Sequence, residues 1–265
     1  MRRQVDWGPN RSGERVALGT ATLVVAFLSH LLLAQLDEAW LPGALAAATL
    51  LVGLGASLCG RTHPRFLALS RGYTWTLWIP PVAWFVASLV LVHQGLVAAG
   101  LVPAAIATAG LGGILLAQHH ELQFAAGHRR GAEFFVSLAV FVSGFTLFGA
   151  LYSARESGIG IPLLSAGVAT ALAAVPLRRA AAEDRRTLLY TVLVGLLVGQ
   201  VAWSLTYWTT AAIVGGALLL LVFYVLVGVS EAILDRTLSR RVVLEYGLVG
   251  CCGLALIAGV GPWQP

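Results

Sequence analysis

The densest group of side chains that could bind a metal ion lies between residues 119 and 128. His119, His120 and Glu121 are consecutive, and His128 follows seven positions after Glu121. Imidazole and carboxylate ligands suit zinc, iron or copper. A continuous helix would place Glu121 and His128 on one face, although Gly127 favours an interruption. The stretch contains neither HxxxH nor HExxH, so a solvated interfacial loop is the alternative to a metal site.

Two more histidines, His30 and His93, lie deep in apolar sequence, both toward the outer ends of their predicted spans. Histidines at similar depth could ligate a haem from its two sides, provided that their helices face each other. A hydrogen-bonded structural histidine is the alternative. We predict no resident cofactor, and a haem or a transition metal stays an open alternative at these histidines.

Four polar side chains are candidates for a ligand-binding or transport path: Gln94, Gln200, Glu133 and Glu245. The glutamines lie near the outer ends of predicted spans. Each glutamate lies at a cytoplasmic start, four residues after an arginine that offsets part of the cost of an acid in apolar surroundings. Symmetry-related gates or proton sites are one interpretation, and simple anchoring of the helix ends is the other.

The composition indicates that the elements positioning these groups are membrane helices. Hydrophobic residues make up 58% of the 265 residues and charged residues only 11%, and the mean hydropathy is +0.84. These values lie outside the range of soluble domains. The polar stretches are too short to form a separate domain, and no nucleotide-binding loop, GxSxG elbow or HExxH helix is present. Any site must therefore lie among the helices or on short loops.

The apolar segments predict an all-α, polytopic integral membrane protein. A bilayer core of about 30 Å requires about twenty apolar residues per helix. Nine such spans are predicted, near residues 16–36, 41–60, 75–97, 102–120, 133–153, 160–177, 187–205, 209–230 and 242–261. We expect a turn between Gly95 and Pro103, and a kink at Pro80-Pro81 in the third span.

The arginines predict the orientation of these spans. The chain has 17 arginines and no lysine, and all but Arg155 fall in every second gap between spans. Because cytoplasmic loops retain basic residues near the ends of spans, we predict a bacterial cytoplasmic membrane protein with its N-terminus inside and its C-terminus outside. Attraction to anionic lipid explains the pI of about 9.6, and no nucleic-acid partner is expected.

The order of several landmarks predicts an internal duplication. Spans two to five and spans six to nine each begin with an apolar residue and a proline, and each later contains a glutamine, an Ala-Ala-Ile triplet and a double arginine before a glutamate. Four spans per half make the repeat parallel. The predicted organisation is one plus four plus four: a tail and first helix over 1–36, and four-helix repeats over 41–153 and 160–261.

These observations rank three classes of function. The first is a non-catalytic membrane-embedded subunit or scaffold that acts through helix contacts with itself or with membrane protein partners, because no catalytic constellation is present. The second is a transporter of a small solute or lipid at the interface between the repeats. The third is a membrane enzyme or electron carrier with a histidine-ligated metal or haem. Gly195 and Gly199, four residues apart, predict close helix packing in the seventh span.

Overall fold

The computed structural model describes residues 10–33, 35–36, 40–61, 76–123, 126–154, 159–180, 184–208 and 211–260, without the side chains of 10–12, 122–123, 126–129, 180, 184 and 260. Within these ranges the chain forms nine α-helices and no strand: α1 (Asn10–Leu33), α2 (Leu41–Arg61), α3 (Ile79–His93), α4 (Leu101–Gln123), α5 (Ala126–Ser153), α6 (Gly160–Ala180), α7 (Asp184–Leu205), α8 (Ala212–Leu234) and α9 (Arg240–Val260). Eight of them, all except α3, are long and apolar enough to cross a membrane. The predicted fold class, a polytopic helical membrane protein, is confirmed.

The helix α3 is shorter than the span predicted near 75–97, since it covers only the 15 residues Ile79–His93. Pro80 and Pro81 lie in its first turn. Proline suits that position because the first N–H groups of a helix have no partner within the helix, and because its fixed φ is already helical. The kink expected at Pro80-Pro81 is therefore wrong, as the two prolines begin the helix instead of bending it.

The turn expected between Gly95 and Pro103 is confirmed, because α3 ends at His93 and α4 begins at Leu101. The amides of Gln94 and Gly95 bond to carbonyls of the last turn of α3 at 2.9 and 3.0 Å. Gly95 has a φ of 69°, a conformation that glycine adopts without steric cost. The reversal therefore has a local cause in the sequence.

The chain divides into two compact units, Met1–Ala139 and Val140–Pro265, called here the first and second units. In the first unit α1 packs against α2 and α4, and α3 packs against α2 and α4. Its core consists of apolar side chains from all four helices, among them Ala26, Val52, Phe85 and Leu111. The first half of α5 belongs to this unit and the second half to the other.

In the second unit α6 and α7 make the closest helix pair. A Cβ built on Gly195 would lie 2.7 Å from the carbonyl oxygen of Ala166, and one built on Gly199 would lie 3.0 Å from that of Pro162. The first distance is too short for a real Cβ and the second is tighter than most, so glycine at these two positions is what lets the helices come this close. The close packing predicted from the spacing of Gly195 and Gly199 is confirmed.

The helix α8 packs against α6, α7 and α9 and meets the second half of α5. Gly216 of α8 lies against the backbone of Gly149 of α5. Beside this contact, the Phe223 ring makes edge-to-face contacts with Phe141 and Phe148 at centroid distances of 5.7 and 5.9 Å. Glycine and aromatic residues therefore form the contact between α8 and the second half of α5.

Candidate functional site

A cavity of about 330 Å³ lies in the first unit between α1, α2 and α4. Most of its wall is apolar and includes Leu23, Ala56, Leu77 and Leu115. The volume is at the lower end of the range of about 300–1,000 Å³ typical of ligand pockets. The cavity is therefore large enough for part of a small molecule or for a lipid chain.

Helical spacing explains how α1 and α4 form two of the walls. The lining residues of α1 recur every three or four positions from Arg15 to Leu23, and those of α4 do so from Gly112 to His119. Residues at this spacing share one face of a helix. A Cβ built on Gly112 would touch Leu23 at 3.5 Å, while Arg15 and His119 interact electrostatically. The helices α1 and α4 are therefore antiparallel, and the polar side chains of Arg15 and His119 lie together at one end of the cavity.

One wall is closed by a hydrogen bond from a buried amide. The Nε2 amide of Gln118 donates to the carbonyl oxygen of Leu77 at 2.8 Å, and both residues line the cavity. Leu77 belongs to the turn before α3, so this bond fixes that turn against α4. A hydrogen bond to the backbone satisfies a group that is costly to bury unpaired.

The exposed side chains of two lining residues show where the cavity is open. The side chains of Val16 and Leu116 line it and are 70% and 62% exposed, so the opening lies between α1 and α4. Gly19 also lines the cavity, and a Cβ built on it would meet nothing within 4 Å. The missing side chain at Gly19 therefore contributes space to the cavity.

The polar end of the cavity carries a basic side chain. Arg15 is half-buried there, and no acidic side chain is among the lining residues that the structure describes. A guanidinium has five N–H donors, so it can bind an anion while it keeps other partners. The arrangement of a basic end and apolar walls suits binding of an amphiphile.

The group predicted to bind a metal lies partly beside this cavity. His119 lines it, its ring centroid is 6.3 Å from that of His120, and Glu121 is half-buried. The side chain of His128 lies outside the described residues. Among the side chains that are described, no three of the His, Cys, Asp and Glu residues come together as a metal site would require. The metal site stays a hypothesis.

His30 is buried and uses both ring nitrogens in hydrogen bonds. Its Nδ1–H donates to the carbonyl oxygen of Ala26 at 2.9 Å, and Nε2 lies 2.7 Å from Oγ of Ser88. The ring also packs edge-on against Phe85. His93 is exposed at the end of α3. For His30 this geometry is that of a structural histidine joining α1 to α3, and haem ligation stays a hypothesis.

The four candidates for a transport path lie within two turns of a helix end. Gln94 and Gln200 are exposed, Glu133 is half-buried near the start of α5, and Glu245 is exposed near the start of α9. None of them is among the residues that line the cavity between α1, α2 and α4. Their role in transport stays a prediction.

Sequence reasoning did not single out the cavity residues Arg15, Gly19 and Gln118. Arg15 served only as a marker of orientation. The signal that could have found it is the helical face that carries Arg15, Gly19 and Leu23 at four-residue intervals. The sequence does not show which helices that face meets.

A family model described as "Protein of unknown function (DUF5656)" matches residues 18–260. The chain belongs to this family. The match begins within α1 and includes the other helices as far as the end of α9. No curated protein and no solved structure matches the chain.

Proposed function

We propose that this protein is a non-catalytic membrane-embedded subunit or scaffold that acts through helix contacts. The observation that carries the proposal is the packing of α9. Every side chain described on α9 is at least partly exposed, and α8 is the only helix that α9 contacts extensively within the described residues. An apolar helix with so little cover from its own chain has faces available for lipid and for another helix. The expected partners are the bilayer and a membrane protein, with no resident cofactor.

The exposed surface of α9 includes a row of small residues at four-residue intervals. These are Gly247, Cys251, Ala255 and Gly259, and all four are exposed. A Cβ built on Gly247 or on Gly259 would meet nothing within 4 Å. Small residues at this spacing let two membrane helices approach closely. We call Gly247, Cys251, Ala255 and Gly259 the small-residue row.

A different side of α9 holds it to α8. Gly228 of α8 lies against the ring of Tyr246, and a Cβ built on Gly253 of α9 would lie 2.7 Å from the Leu221 side chain. The ring of Tyr246 is also 5.8 Å from that of Tyr224. Contact with α8 therefore leaves the small-residue row uncovered.

We propose that the small-residue row packs against the same row of a second copy. A surface of small, uncharged residues is self-complementary, and a two-fold axis then brings identical residues together. The row contains no charged side chain that would require an oppositely charged partner. The contact would make the chain a homodimer within a larger membrane complex.

We propose further that the protein lies in a bacterial cytoplasmic membrane with its N-terminus inside and its C-terminus outside. The arginines at 61–71 and 129–130 require an even number of crossings between them. Because α4 is long enough to cross, α3 must cross as well despite its 15 residues. Reporter fusions near 126, 182 and 237 should indicate the cytoplasm, and one near 157 the outside. An outside signal at 182 would contradict this topology.

The parallel repeat over 41–153 and 160–261 is also part of this proposal, and the ordered landmarks in the sequence support it. In that scheme α1 stands outside the repeat. Gln94 and Gln200 would occupy equivalent places, as would Glu133 and Glu245. An experimental structure in which the two halves superpose with these pairs in register would support the duplication.

Cysteine crosslinking tests the dimer. Cys251 and Cys252 are both exposed, and neighbouring residues on a helix point about 100° apart. The double variant Cys59→Ser/Cys252→Ala keeps only Cys251, and Cys59→Ser/Cys251→Ala keeps only Cys252. After oxidation in isolated membranes, the first variant should give far more disulfide-linked dimer than the second.

The matched pair of single-cysteine variants controls for random collision in the membrane, because both thiols lie on the same helix. Adding Gly247→Leu to the Cys251-only variant should reduce the dimer yield, since a larger side chain separates the helices. Equal yields from Cys251 and Cys252, or no dimer from either, would contradict self-association through this row.

A further inference from the structure

We propose that the cavity between α1, α2 and α4 binds one acyl chain of an anionic phospholipid, with the lipid phosphate on Arg15. The site is independent of the small-residue row, because it lies in the first unit and α9 lies in the second. Three features of the cavity support this assignment: the apolar wall, the basic end and the position of the opening.

The wall of the cavity favours a hydrocarbon chain over water. Leu23, Ala56, Leu77 and Leu115 supply apolar surface, and water needs two to four polar partners to be stable in a buried site. Unfilled apolar space loses dispersion contacts. In a bilayer, the surrounding molecules with a matching apolar surface are lipids, through their acyl chains.

The basic end selects an anionic headgroup. Arg15 and His119 lie together at one end of the cavity, and Leu23 lies against Gly112 toward the other. A guanidinium binds phosphate through paired, charge-assisted hydrogen bonds. No carboxylate is among the described lining residues of the cavity. A lipid with its phosphate at Arg15 would therefore place its chain along Gly19 toward Leu23.

The opening allows a lipid to enter without leaving the membrane. Val16 and Leu116 are exposed on α1 and α4, and both helices are long and apolar enough to span the bilayer. With the predicted orientation, Arg15 lies near the cytoplasmic leaflet, where the anionic lipids of a membrane attract basic residues. Entry would be lateral, between α1 and α4.

Photolabelling tests the site. The full chain is reconstituted in phosphatidylcholine vesicles that contain a trace of phosphatidylglycerol with a photoreactive acyl chain, and labelled residues are mapped by mass spectrometry. We expect labels on the facing surfaces of α1 and α4, around Leu23 and Leu115. Labelling spread evenly over all lipid-exposed helices would overturn the proposal, and this result requires no variant.

A blocked cavity provides the second readout. Gly19→Leu should fill the space, because a Cβ there meets nothing within 4 Å. Gly167→Leu is the matched control, since Gly167 of α6 is also open to 4 Å and exposed but lines no part of this cavity. We expect labelling of Leu23 and Leu115 to fall at least about tenfold in Gly19→Leu, equivalent to 1.4 kcal/mol, and to stay unchanged in Gly167→Leu. Unchanged labelling in Gly19→Leu would overturn the proposal.

The headgroup is tested separately from the chain. Arg15→Gln should remove the preference for photoreactive phosphatidylglycerol over the matching phosphatidylcholine probe, while Arg130→Gln, an exposed arginine at the start of α5, should leave it intact. Inorganic phosphate should not compete, because it has no chain to fill the cavity. Equal labelling by both lipids in the unmodified chain would overturn the anionic assignment.

Discussion

The helix pairs α1–α2 and α6–α7 both pack a threonine against a glycine. Beside this contact, α1–α2 borders a cavity, whereas α6–α7 stays in close contact. Thr22 of α1 faces Gly55 of α2, and Thr170 of α6 faces Gly195 of α7. Each threonine hydroxyl donates to the carbonyl four residues earlier on its own helix, at 2.8 Å in both cases. The threonine side chains are thereby held in place, and the glycine opposite makes room for them.

The difference arises one turn further along. Gly199 follows Gly195 by four residues, and a Cβ there would lie 2.8 Å from Cβ of Ala166, so α6 and α7 stay in backbone contact. In α2 the residue four positions after Gly55 is Cys59, which lines the cavity. A second glycine keeps one pair in backbone contact, whereas the matching place in the other pair has a larger residue and borders the cavity.

A large effect is expected from Gly199→Ala. The new methyl group would meet Ala166 and the backbone of Pro162, and neither can move without separating the helices. Overpacking of this kind costs about 1–3 kcal/mol. The free energy of SDS-induced unfolding should fall by that amount, whereas an equal loss in Gly167→Ala would show that the contact is not the cause.

Gly55→Ala should also destabilise the chain, but Thr22→Ala should restore most of the loss. The three nearest atoms that a Cβ on Gly55 would meet belong to the Thr22 side chain. Thr22→Ala removes the hydroxyl and the methyl group, the two that lie nearest, and keeps only the Cβ at 3.0 Å. The matching pair, Gly195→Ala with Thr170→Ala, should recover much less, because the Ala166 carbonyl oxygen remains 2.7 Å away. Unfolding of all four single and both double variants gives the two coupling energies. Equal recovery in both pairs would contradict the idea that Gly55 faces a side chain while Gly195 faces the backbone.

A smaller loss is expected when a polar contact of the second unit is removed. The Tyr152 hydroxyl donates to the carbonyl oxygen of Trp208 at 2.7 Å, and Tyr152 is buried. Tyr152→Phe should reduce the free energy of unfolding by about 1 kcal/mol, the usual net value of such a bond. Tyr207→Phe, at an exposed position, serves as the control and should have less effect.

The smallest effect, and of opposite sign, is expected from Gly167→Ala. A Cβ at this exposed position meets nothing within 4 Å, so only the higher helix propensity of alanine acts, at up to about 1 kcal/mol. The midpoint of SDS-induced unfolding should rise slightly. A fall would indicate that a helix or lipid contact covers this face.

The positions of the helices could be predicted from the sequence better than the packing of one helix against another. Hydropathy and length were enough for eight of the nine predicted spans, and the spacing of Gly195 and Gly199 was enough for close packing, because both signals lie within a single helix. Pro80-Pro81 was misjudged because a proline pair looks the same at the start of a helix as within one, until the two residues before Ile79, Leu77 and Trp78, are seen to form a turn.

The cavity could not be predicted for a different reason. Arg15 and His119 are 104 residues apart, and only tertiary packing brings them together. The landmarks that sequence reasoning favoured, such as Gln94 and Gln200, are exposed near helix ends. The repeat stays a prediction, and α1, which it leaves outside the symmetry, packs against α2 and α4 in the first unit.

The exposed surface of α9 has a consequence for cooperativity. The residues of α6 from 172 to 178 are all buried, whereas no described side chain of α9 is. Segments with few buried contacts open locally at a lower free energy than the rest of a protein. We therefore expect α9 to separate from α8 at a lower free energy than α6 separates from α7, and the hydrogen bonds within each helix to stay intact because no water is present in the bilayer core to replace them.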